Sequence, residues 1–323
     1  MKAWVLGAEG PELQERETPR ARAGEVVVRV RACALNRVDL AMARGHVHGG
    51  AGGAGNVLGV EWAGEVVEVG PEAAGVRVGE RVMGSGAGAF AEYAVADVGR
   101  VAPIPDANLS FEQAATLPVA LQTMHDAVVT NGALAAGQSV LILGASSGVG
   151  LMGLQIARTV GASLVIGSST TAERRVRLGE FGADVAIDTN EAGWSAKVLE
   201  ATKGAGVDLI VDQVSGPGFN EALKATRIGG RIVNVGRLGG DRAEFNFDLH
   251  ALRRITYVGV TFRTRSRDEV REITRRMRAD LWRALEAGEL KLPIDATFAF
   301  GELPEALAHM RTNQHFGKIV VLV

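Results

Sequence analysis

One short segment combines the residue types that a strand, a phosphate-binding turn and a helix require. Leu141–Gly150 reads LILGASSGVG, an apolar stretch followed by small residues. Small residues let the backbone approach a pyrophosphate, and a helix N-terminus offers N–H groups and a positive dipole end. Against the pattern G-x-G-x-x-G only Gly150 matches, because Ala145 and Ser147 hold the first two glycine positions. We expect this turn to bind a dinucleotide through Ser146, Ser147, Gly148, Val149 and Gly150; the alternative is a serine cap in an unrelated α/β fold.

The residues after the next expected strand, Ser163–Ile166, indicate which dinucleotide binds. Sites for NADH usually carry an acid about 20 residues beyond the glycines. The segment Gly167–Arg175 instead holds hydroxyl side chains followed by two arginines. Hydroxyl and guanidinium groups suit a ribose 2′-phosphate. The segment therefore predicts NADPH, with Ser168, Ser169 and Arg174 as ligands, unless the arginines are only a solvated helix face.

The elements around this turn alternate between strands and helices, which predicts a doubly wound parallel sheet. The expected strands are Ser139–Leu143, Ser163–Ile166, Asp208–Asp212, Arg231–Val235 and Tyr257–Thr261, and the expected helices are Leu151–Val160 and Thr171–Phe181. Ligands bind such sheets beyond the carboxyl ends of the strands. We therefore expect Val214, Ser215, Asn234, Val235 and Gly236 near the nicotinamide half of the cofactor.

The first hundred residues have a different pattern. Short alternating stretches separated by glycine turns predict a partly open β-barrel. The stretches are Val26–Ala32, Glu65–Val69, Arg81–Met83 and Ala91–Val95. The glycine-rich segment His46–Asn56 predicts a mobile or poorly ordered loop. Near the C-terminus, an amphipathic helix over Asp268–Ala287 and a last strand over Lys318–Leu322 are expected to rejoin this first domain.

Composition limits the classes of function. A length of 323 residues predicts two domains. The net charge of −2 gives no general attraction to nucleic acid. Cys33 is the only cysteine, so an intrachain disulfide and a cysteine-rich zinc lobe are excluded. No apolar run is long enough to span a membrane. Because charges occupy the first residues where a signal peptide needs an apolar core, we expect a cytoplasmic protein.

Several segments, in the right order, resemble the medium-chain dehydrogenase/reductase superfamily and, within it, the zinc-free quinone oxidoreductase group. The segments that carry the resemblance are Val30–Asp39, Leu58–Gly64, Leu117–Pro118 with Thr123, Asp212–Gly216, Gly229–Arg231 and Gly317–Val320. The resemblance implies an α/β architecture with a GroES-like, partly open β-barrel catalytic domain at residues 1–118 and 263–323. It also implies a Rossmann cofactor domain at residues 119–262, and a homodimer formed through the edge strand near Tyr257–Thr261.

The same resemblance bears on metal binding. Zinc alcohol dehydrogenases carry a cysteine where this chain has Asn36 and a histidine where it has Val60. Zinc requires thiolate, imidazole or carboxylate ligands, so we expect no metal. Cys33 is expected to be a packed core residue, and His46 and His48 to be solvated loop residues.

The function that the resemblance implies is hydride transfer from NADPH to a small-molecule quinone or α,β-unsaturated carbonyl. Asn36 and Thr123 are expected to approach the nicotinamide from the barrel side, and Asn36 or a ribose hydroxyl to donate to the enolate oxygen. Phe262, Arg263 and Lys318 are further cofactor candidates. Tyrosines that this group often carries in its substrate pocket are replaced by Ala41 and Val47, so a tyrosine is not expected to donate the proton; water or another side chain remains open as its source.

Three questions stay open at this level. Asp39 and Glu61 are either a buried acid/base pair or acids that hold structural partners. Arg263 and Arg265 either reach an anion or lie on a solvated surface. The alternative functions are an alcohol dehydrogenase acting on saturated carbonyls, which needs a Lewis acid, and a non-enzymatic nucleotide- or RNA-binding relative, against which the near-neutral charge weighs.

Overall fold

The structure is a computed structural model that describes residues 1–105 and 109–323. The chain forms two compact units, each with its own buried core. The first unit comprises Met1–Val119, Phe262–Asp280 and Lys291–Val323, and the second comprises Ala120–Thr261 and Leu281–Leu290. Within the described ranges, no helix combines the length and the apolar character that crossing a membrane would require.

The strands of the described residues are, in chain order, β1 (Lys2–Leu6), β2 (Pro11–Glu15), β3 (Glu25–Ala34), β4 (Val47–His48), β5 (Ala51–Gly52), β6 (Glu61–Val69), β7 (Arg81–Ser85), β8 (Tyr93–Asp97), β9 (Val101–Pro103), β10 (Ser139–Leu143), β11 (Leu164–Ser168), β12 (Val185–Ile187), β13 (Val207–Asp212), β14 (Thr226–Asn234), β15 (Thr256–Gly259), β16 (Ile294–Ala299) and β17 (Lys318–Leu322).

The α-helices of the same residues are α1 (Arg37–Met42), α2 (Phe111–Ala115), α3 (Pro118–His125), α4 (Gly148–Thr159), α5 (Ala172–Val176), α6 (Ser195–Ala201), α7 (Phe219–Ala225), α8 (Phe247–Arg253), α9 (Arg267–Glu286) and α10 (Leu303–Arg311).

The main sheet of the first unit has the order β16-β17-β3-β6-β7-β9, with β8 also paired to β3. Its pairs are antiparallel except for β16 with β17. Successive side chains of β3 point to opposite faces of the sheet. Val28 and Val30 are therefore buried in the core with Trp62, while Arg29 between them is exposed. In the described part of the chain, the end strands β16 and β9 do not pair with each other. The sheet stays open, as expected for a partly open barrel.

The second unit contains a six-stranded sheet in the order β12-β11-β10-β13-β14-β15, and every neighbouring pair is parallel. The near-continuous apolar sequence of β10 reflects full burial, as is usual for parallel sheets. The chain winds outward from β10 through β11 and β12, then returns to the other side with β13. This reversal beside β10 is the switch point at which such sheets bind ligands. The predicted doubly wound architecture is confirmed.

Two local expectations are corrected. The helix expected over Thr171–Phe181 divides into α5 and a following 3₁₀ turn over Arg177–Phe181. The glycine-rich segment contains a two-stranded hairpin of β4 and β5 instead of an irregular loop. Gly52 at its end has φ +83°, and an added Cβ would lie 2.6 Å from the carbonyl oxygen of His46. The glycines therefore permit a tight hairpin here, because a side chain would prevent this close approach.

Candidate active site

The turn from β10 into α4 has the geometry of an anion-binding site. Gly144 ends the strand in the left-handed region, at φ +73°. Ser147 caps α4, and its Oγ accepts a hydrogen bond from the N–H of Gly150 at 3.0 Å. An added Cβ on Gly150 would lie 2.5 Å from the carbonyl oxygen of Gly144. Only glycine at this position allows the helix to pack against the strand end.

This turn presents donors that suit a pyrophosphate. The N–H groups of Gly148 and Val149 lie in the first turn of α4, where no intrahelical acceptor exists. Ser146 and Ser147 are half-buried beside them. The structure thus brings together all five residues that the sequence singles out, although Ser147 acts as a cap where other dinucleotide sites have glycine.

Gln213, directly after β13, was not anticipated as a site residue. Its Nε2 donates to the carbonyl oxygens of Leu143 and Gly144 at 3.1 and 3.3 Å, and its Oε1 accepts from Ser147 Oγ at 3.3 Å. The side chain is buried. Gln213 therefore ties the phosphate turn to the neighbouring strand. The signal in the sequence is a polar residue placed immediately after an apolar strand.

The end of β11 supports the same turn. Ser168 is buried, and its Oγ accepts a hydrogen bond from the N–H of Gly144 at 3.0 Å. The Ser168 carbonyl accepts from the N–H of Ala145 at 2.9 Å. Its hydroxyl is thus turned into the protein, although the sequence suggested a phosphate ligand. Ser169 Oγ donates to Ser146 Oγ at 3.1 Å, which joins the second strand end to the phosphate turn.

The two arginines that follow β11 differ in their surroundings. Arg175 Nη1 donates to the carbonyl oxygen of Ser169 at 2.8 Å and to Asp188 Oδ2 at 2.7 Å. Arg175 is thereby fixed, and the acid at the end of β12 is neutralised. Arg174 is half-buried on α5. At the strand end the hydroxyls of Ser168 and Ser169 are buried, so the half-buried groups there are the two guanidiniums, and the neighbouring carboxylate is already paired.

The ends of β13 and β14 meet in one hydrogen-bonded network. Asp212 Oδ1 accepts from the N–H groups of Val214 and Ser215, both at 2.8 Å. Burial raises the pKa of Asp212, although these bonds oppose the shift. Ser215 has φ +55°, unusual for a non-glycine residue, and its Oγ donates to the Gly236 carbonyl at 2.9 Å. Asn234 Nδ2 also donates to Ser215 Oγ.

The expected nicotinamide residues of the second unit are thus neighbours. The N–H groups of Val235 and Gly236 donate to the Asp212 carbonyl at 2.7 and 3.2 Å. A cavity of about 280 Å³ adjoins the network and is lined by residues that include Ser215, Asn234, Arg237 and Tyr257. Thr123 lies half-buried on α3 in this unit.

In the first unit, three buried polar side chains meet where β3, β6 and β17 adjoin. Lys318 Nζ donates to Asn36 Oδ1 at 3.0 Å and forms a short ion pair with Glu61 Oε1. Asn36 Nδ2 donates to the same Glu61 oxygen at 2.7 Å. Glu61 Oε2 accepts from the N–H of Val119 at 2.9 Å. We call Asn36, Glu61 and Lys318 the barrel triad.

Sequence reasoning placed Lys318 among the cofactor ligands, whereas its ammonium group is buried in the first unit against an acid. Of the two acids that the sequence singles out, Glu61 is paired with Lys318 and with the Asn36 amide. Burial raises the pKa of Glu61, while Lys318, the Val119 N–H and the Asn36 amide oppose that shift.

Asp39 lies beside the triad on α1. Its Oδ2 accepts from the N–H of Asn36 at 2.6 Å, and its buried Oδ1 has no hydrogen-bond partner. Burial raises the pKa of Asp39 to about 7; the Asn36 N–H opposes this shift and the Glu61 charge adds to it. A substantial fraction of this carboxyl is therefore protonated at neutral pH.

The remaining candidates lie elsewhere in the first unit. Cys33 is fully buried, with Sγ donating to the Val321 carbonyl at 3.7 Å, and burial raises its thiol pKa. The backbone of Phe262 and Arg263 runs beside Gly49 of the β4–β5 hairpin. Burial, and then the charge of Arg263, lower the pKa of His48. In residues 1–105 and 109–323, no group of three or more His, Cys, Asp or Glu side chains is arranged to hold a metal ion.

Comparison with known proteins decides the family. The family model described as alcohol dehydrogenase GroES-like domain matches residues 22–106, and that described as zinc-binding dehydrogenase matches residues 148–279. A solved structure described as a probable oxidoreductase from Mycobacterium abscessus is 30% identical, with a TM-score of 0.86, and the match covers 100% of this chain and 99% of that one. The chain belongs to the medium-chain dehydrogenase/reductase superfamily.

The curated relatives of this superfamily member are much longer proteins. The polyketide synthase GfsB of Streptomyces halstedii is 33% identical over 332 residues, which cover 99% of this chain and 6% of GfsB. The highly reducing polyketide synthase claI of Penicillium crustosum is 32% identical over 308 residues, covering 93% of this chain and 13% of that protein. The chain therefore spans only a small part of each of these relatives.

The residues present do not fit the zinc ion that one family description implies. Asn36 offers a neutral amide, Val60 is a hydrocarbon side chain packed against the barrel core, and the one acid of the triad already carries the Lys318 ammonium. Tetrahedral zinc requires anionic or imidazole ligands that this set does not supply. In contrast, the turn before α4 fits the pyrophosphate of a dinucleotide, because the N–H groups of Gly148 and Val149 in the first turn of α4 have no intrahelical acceptor.

Proposed function

We propose that this chain catalyses metal-independent reduction of a quinone or an α,β-unsaturated carbonyl compound with NADPH. The observation that carries the proposal is the barrel triad. It provides an oriented amide donor at Asn36, where by the resemblance zinc alcohol dehydrogenases carry a cysteine, and the buried ammonium group of Lys318 beside that amide. The cofactor, when bound, supplies the hydride. The chain therefore has to bind the cofactor and the substrate, orient them and polarise the substrate carbonyl.

The second unit would hold the cofactor at one end of its sheet. The phosphate turn binds the pyrophosphate through N–H groups at the start of α4. Gln213 and Ser168 keep this turn in shape through their hydrogen bonds to Gly144. The network of Asp212, Ser215 and Asn234 fixes the ends of β13 and β14, where we place the nicotinamide half.

NADPH is proposed over NADH because of the end of β11. The 2′-phosphate carries negative charge, and Arg174 and Arg175 bring half-buried guanidinium groups to this strand end, where Ser169 supports the phosphate turn through Ser146. An acid that would repel a phosphate is absent from the strand end itself, which finishes at Ser168. Asp188 is paired with Arg175, so its charge is offset.

Asn36 is proposed as the donor to the substrate oxygen. One of its two amide hydrogens goes to Glu61 at 2.7 Å, and the nearest acceptor for the other is the Ala34 carbonyl at 3.5 Å. That second hydrogen is only weakly engaged. When hydride adds to the β-carbon of an enone, charge develops on the oxygen, and an oriented N–H stabilises it. Water then supplies the proton.

The relatives support a reductive role. One of them carries the description highly reducing polyketide synthase, and the solved structure from Mycobacterium abscessus is described as a probable oxidoreductase. Reduction of a conjugated carbonyl requires a hydride, a donor to the developing oxyanion and a proton, and Asn36 is suited to the second of these roles.

Turnover measurements test this proposal. Oxidation of NADPH and of NADH would be followed by absorbance against quinones, small enones and saturated aldehydes. We expect turnover with quinones or enones and a preference for NADPH. Turnover confined to saturated aldehydes would favour the alcohol dehydrogenase alternative. Tight NADPH binding without turnover of any acceptor would be consistent with the proposed cofactor but would contradict quinones and enones as the substrate class.

We also propose a homodimer formed through β15. This strand is the last in the order of the second sheet, and it pairs with β14 on one side only in the described part of the chain. Tyr257 in this strand is 46% exposed. An unpaired edge with an apolar side chain is suited to pairing with a second copy. Light scattering at micromolar concentration tests this assembly, and a monomeric mass would contradict it.

A further inference from the structure

The barrel triad is costly as a purely structural element. The exposed fraction is 3% for the Lys318 side chain and 0% for Glu61. Removing an ammonium and a carboxylate from water is unfavourable, and apolar residues often replace such pairs without loss of stability. A buried ion pair in a barrel that is otherwise packed with Val, Leu and Trp therefore invites an explanation beyond folding.

The triad fixes the orientation of one amide. The ammonium of Lys318 donates to Asn36 Oδ1, and the Asn36 NH₂ group donates to Glu61. Rotating the amide by half a turn would place its NH₂ group against the ammonium and its oxygen against the carboxylate. Both contacts would be repulsive in a buried site, where charge interactions are strong. The ion pair thus allows one orientation of Asn36, in which the second amide hydrogen has only a weak partner, the Ala34 carbonyl at 3.5 Å.

We propose that Lys318 is a positioning residue that acts through Asn36, holding its second amide N–H as the donor to the substrate oxygen. This inference rests on the proposed function. It differs from the role that the sequence suggested, in which Lys318 contacts the cofactor. It also differs from a purely structural role, because loss of Lys318 should affect the chemical step after folding is restored.

The first experiment compares Lys318→Met with Lys224→Met in the full chain. Lys224 is a half-exposed lysine in α7, paired with Glu221 and outside the proposed site. We expect Lys318→Met to lower kcat at least about tenfold with the dissociation constant for NADPH unchanged within about twofold. Lys224→Met should match the wild type. Weakened NADPH binding with kcat retained would overturn the proposal and make Lys318 a cofactor ligand.

The second experiment separates catalysis from folding. Lys318→Met alone leaves the Glu61 charge buried without its partner, so this variant is also combined with Glu61→Gln. The double variant should melt close to the wild-type temperature because no unpaired charge remains. We expect its kcat to stay low, since the neutral pair no longer fixes the amide. Full recovery of kcat would show that the pair serves folding alone and would overturn the proposal.

A double-mutant cycle with Asn36 tests whether Lys318 acts through it. Asn36→Ala is expected to lower kcat by about 100-fold. Adding Lys318→Met should then cause no further loss, whereas independent roles would multiply the two losses. If kcat is low in Asn36→Ala but unchanged in Lys318→Met, this inference is overturned while the donor role of Asn36 in the proposed function stands. A fully active Asn36→Ala would overturn both this inference and the donor role in the proposed function.

Discussion

The hydroxyl of Ser147 accepts a hydrogen bond from the backbone N–H of Gly150 at 3.0 Å. This contact explains how a phosphate turn with only one glycine of the usual pattern retains its shape. The serine supplies a cap for α4, and Gly150 supplies the close packing against the strand. The two residues act together, and each can be tested by substitution.

Ser147→Ala should lower the free energy of unfolding by about 1 kcal/mol because the helix loses its cap. Ser147→Gly should cost only roughly a few tenths of a kcal/mol, since glycine is tolerated at this position. Urea denaturation measures both values. An alanine variant as stable as the wild type would show that the hydroxyl contributes nothing to the turn.

Gly150→Ala should destabilise the protein by about 1–3 kcal/mol and abolish tight NADPH binding, because its Cβ would lie 2.5 Å from the Gly144 carbonyl oxygen. Gly179→Ala is the matched control, since nothing lies within 4 Å of an added Cβ there. Thermal unfolding and cofactor titration check both variants. Normal binding by Gly150→Ala would contradict the assignment of this turn.

Arg174→Met should weaken NADPH binding by about tenfold and leave NADH binding unchanged, because only the former has a 2′-phosphate. Arg177→Met is the control: this residue lies in the following 3₁₀ turn, paired with Glu180 at the surface. Fluorescence titration of each variant with NADPH and with NADH measures the four dissociation constants. Equal losses for NADPH and NADH would show that Arg174 does not read the phosphate.

Asp97 and Arg271 should make stability depend on acid pH. Their two hydrogen bonds measure 2.8 and 2.7 Å. Burial alone would raise the pKa of Asp97, but the bonds from Arg271 and the Gly99 N–H hold it below its ordinary value. Stability from this pair is therefore present above the ordinary pKa of about 3.9 and lost as pH falls through the folded value.

The variant Asp97→Asn isolates this effect. It should be less stable than the wild type at neutral pH by roughly 1–2 kcal/mol, a range reduced because Arg271 is partly exposed. The difference should shrink as the carboxyl becomes protonated. Denaturation curves at neutral and acid pH measure it, and a constant difference across pH would contradict the account.

Asp39 should make stability depend on pH in the opposite direction to Asp97. The folded chain keeps its proton up to about pH 7, whereas an ordinary aspartic acid loses it near pH 3.8. The folded state binds more protons between these values, so its stability should fall as pH rises through this window and level off above it. Asp39→Asn removes the titration and keeps an acceptor for the Asn36 N–H. As pH rises between these values, we expect the free energy of unfolding of the variant to increase by at least about 1 kcal/mol relative to that of the wild type. Denaturation curves across this pH range measure the difference, and a difference that does not change with pH would contradict the prediction.

The features that the sequence predicted correctly are local ones. The apolar run of β10, the small residues of the turn and the start of α4 follow each other directly, so strand, turn and helix are readable without tertiary information. The parallel sheet follows from the alternation of such units. The barrel strands were expected for the same reason, since alternating burial at Val28, Arg29 and Val30 is visible in their residue types.

The features that the sequence does not predict depend on the direction of side chains and on contacts between residues far apart in the sequence. Ser168 was expected to face a phosphate, but its hydroxyl turns to the N–H of Gly144, and spacing alone does not give the direction of a side chain. Lys318 meets Glu61 across 257 residues of sequence, and only the strand pairings bring them together. The pattern after Thr171 predicts one continuous helix, whereas the structure has α5 followed by a 3₁₀ turn, because the residue pattern is the same through both.

The most direct test of the account is the effect of metal removal on turnover. Purified protein would be treated with a strong chelator, its residual metal content measured, and its rate of NADPH oxidation determined with the best quinone or enone. We expect the rate to be unchanged, because Asn36, Lys318 and Glu61 provide the donor and the positive charge without a metal. A rate that is lost on chelation and restored by zinc would contradict the central claim.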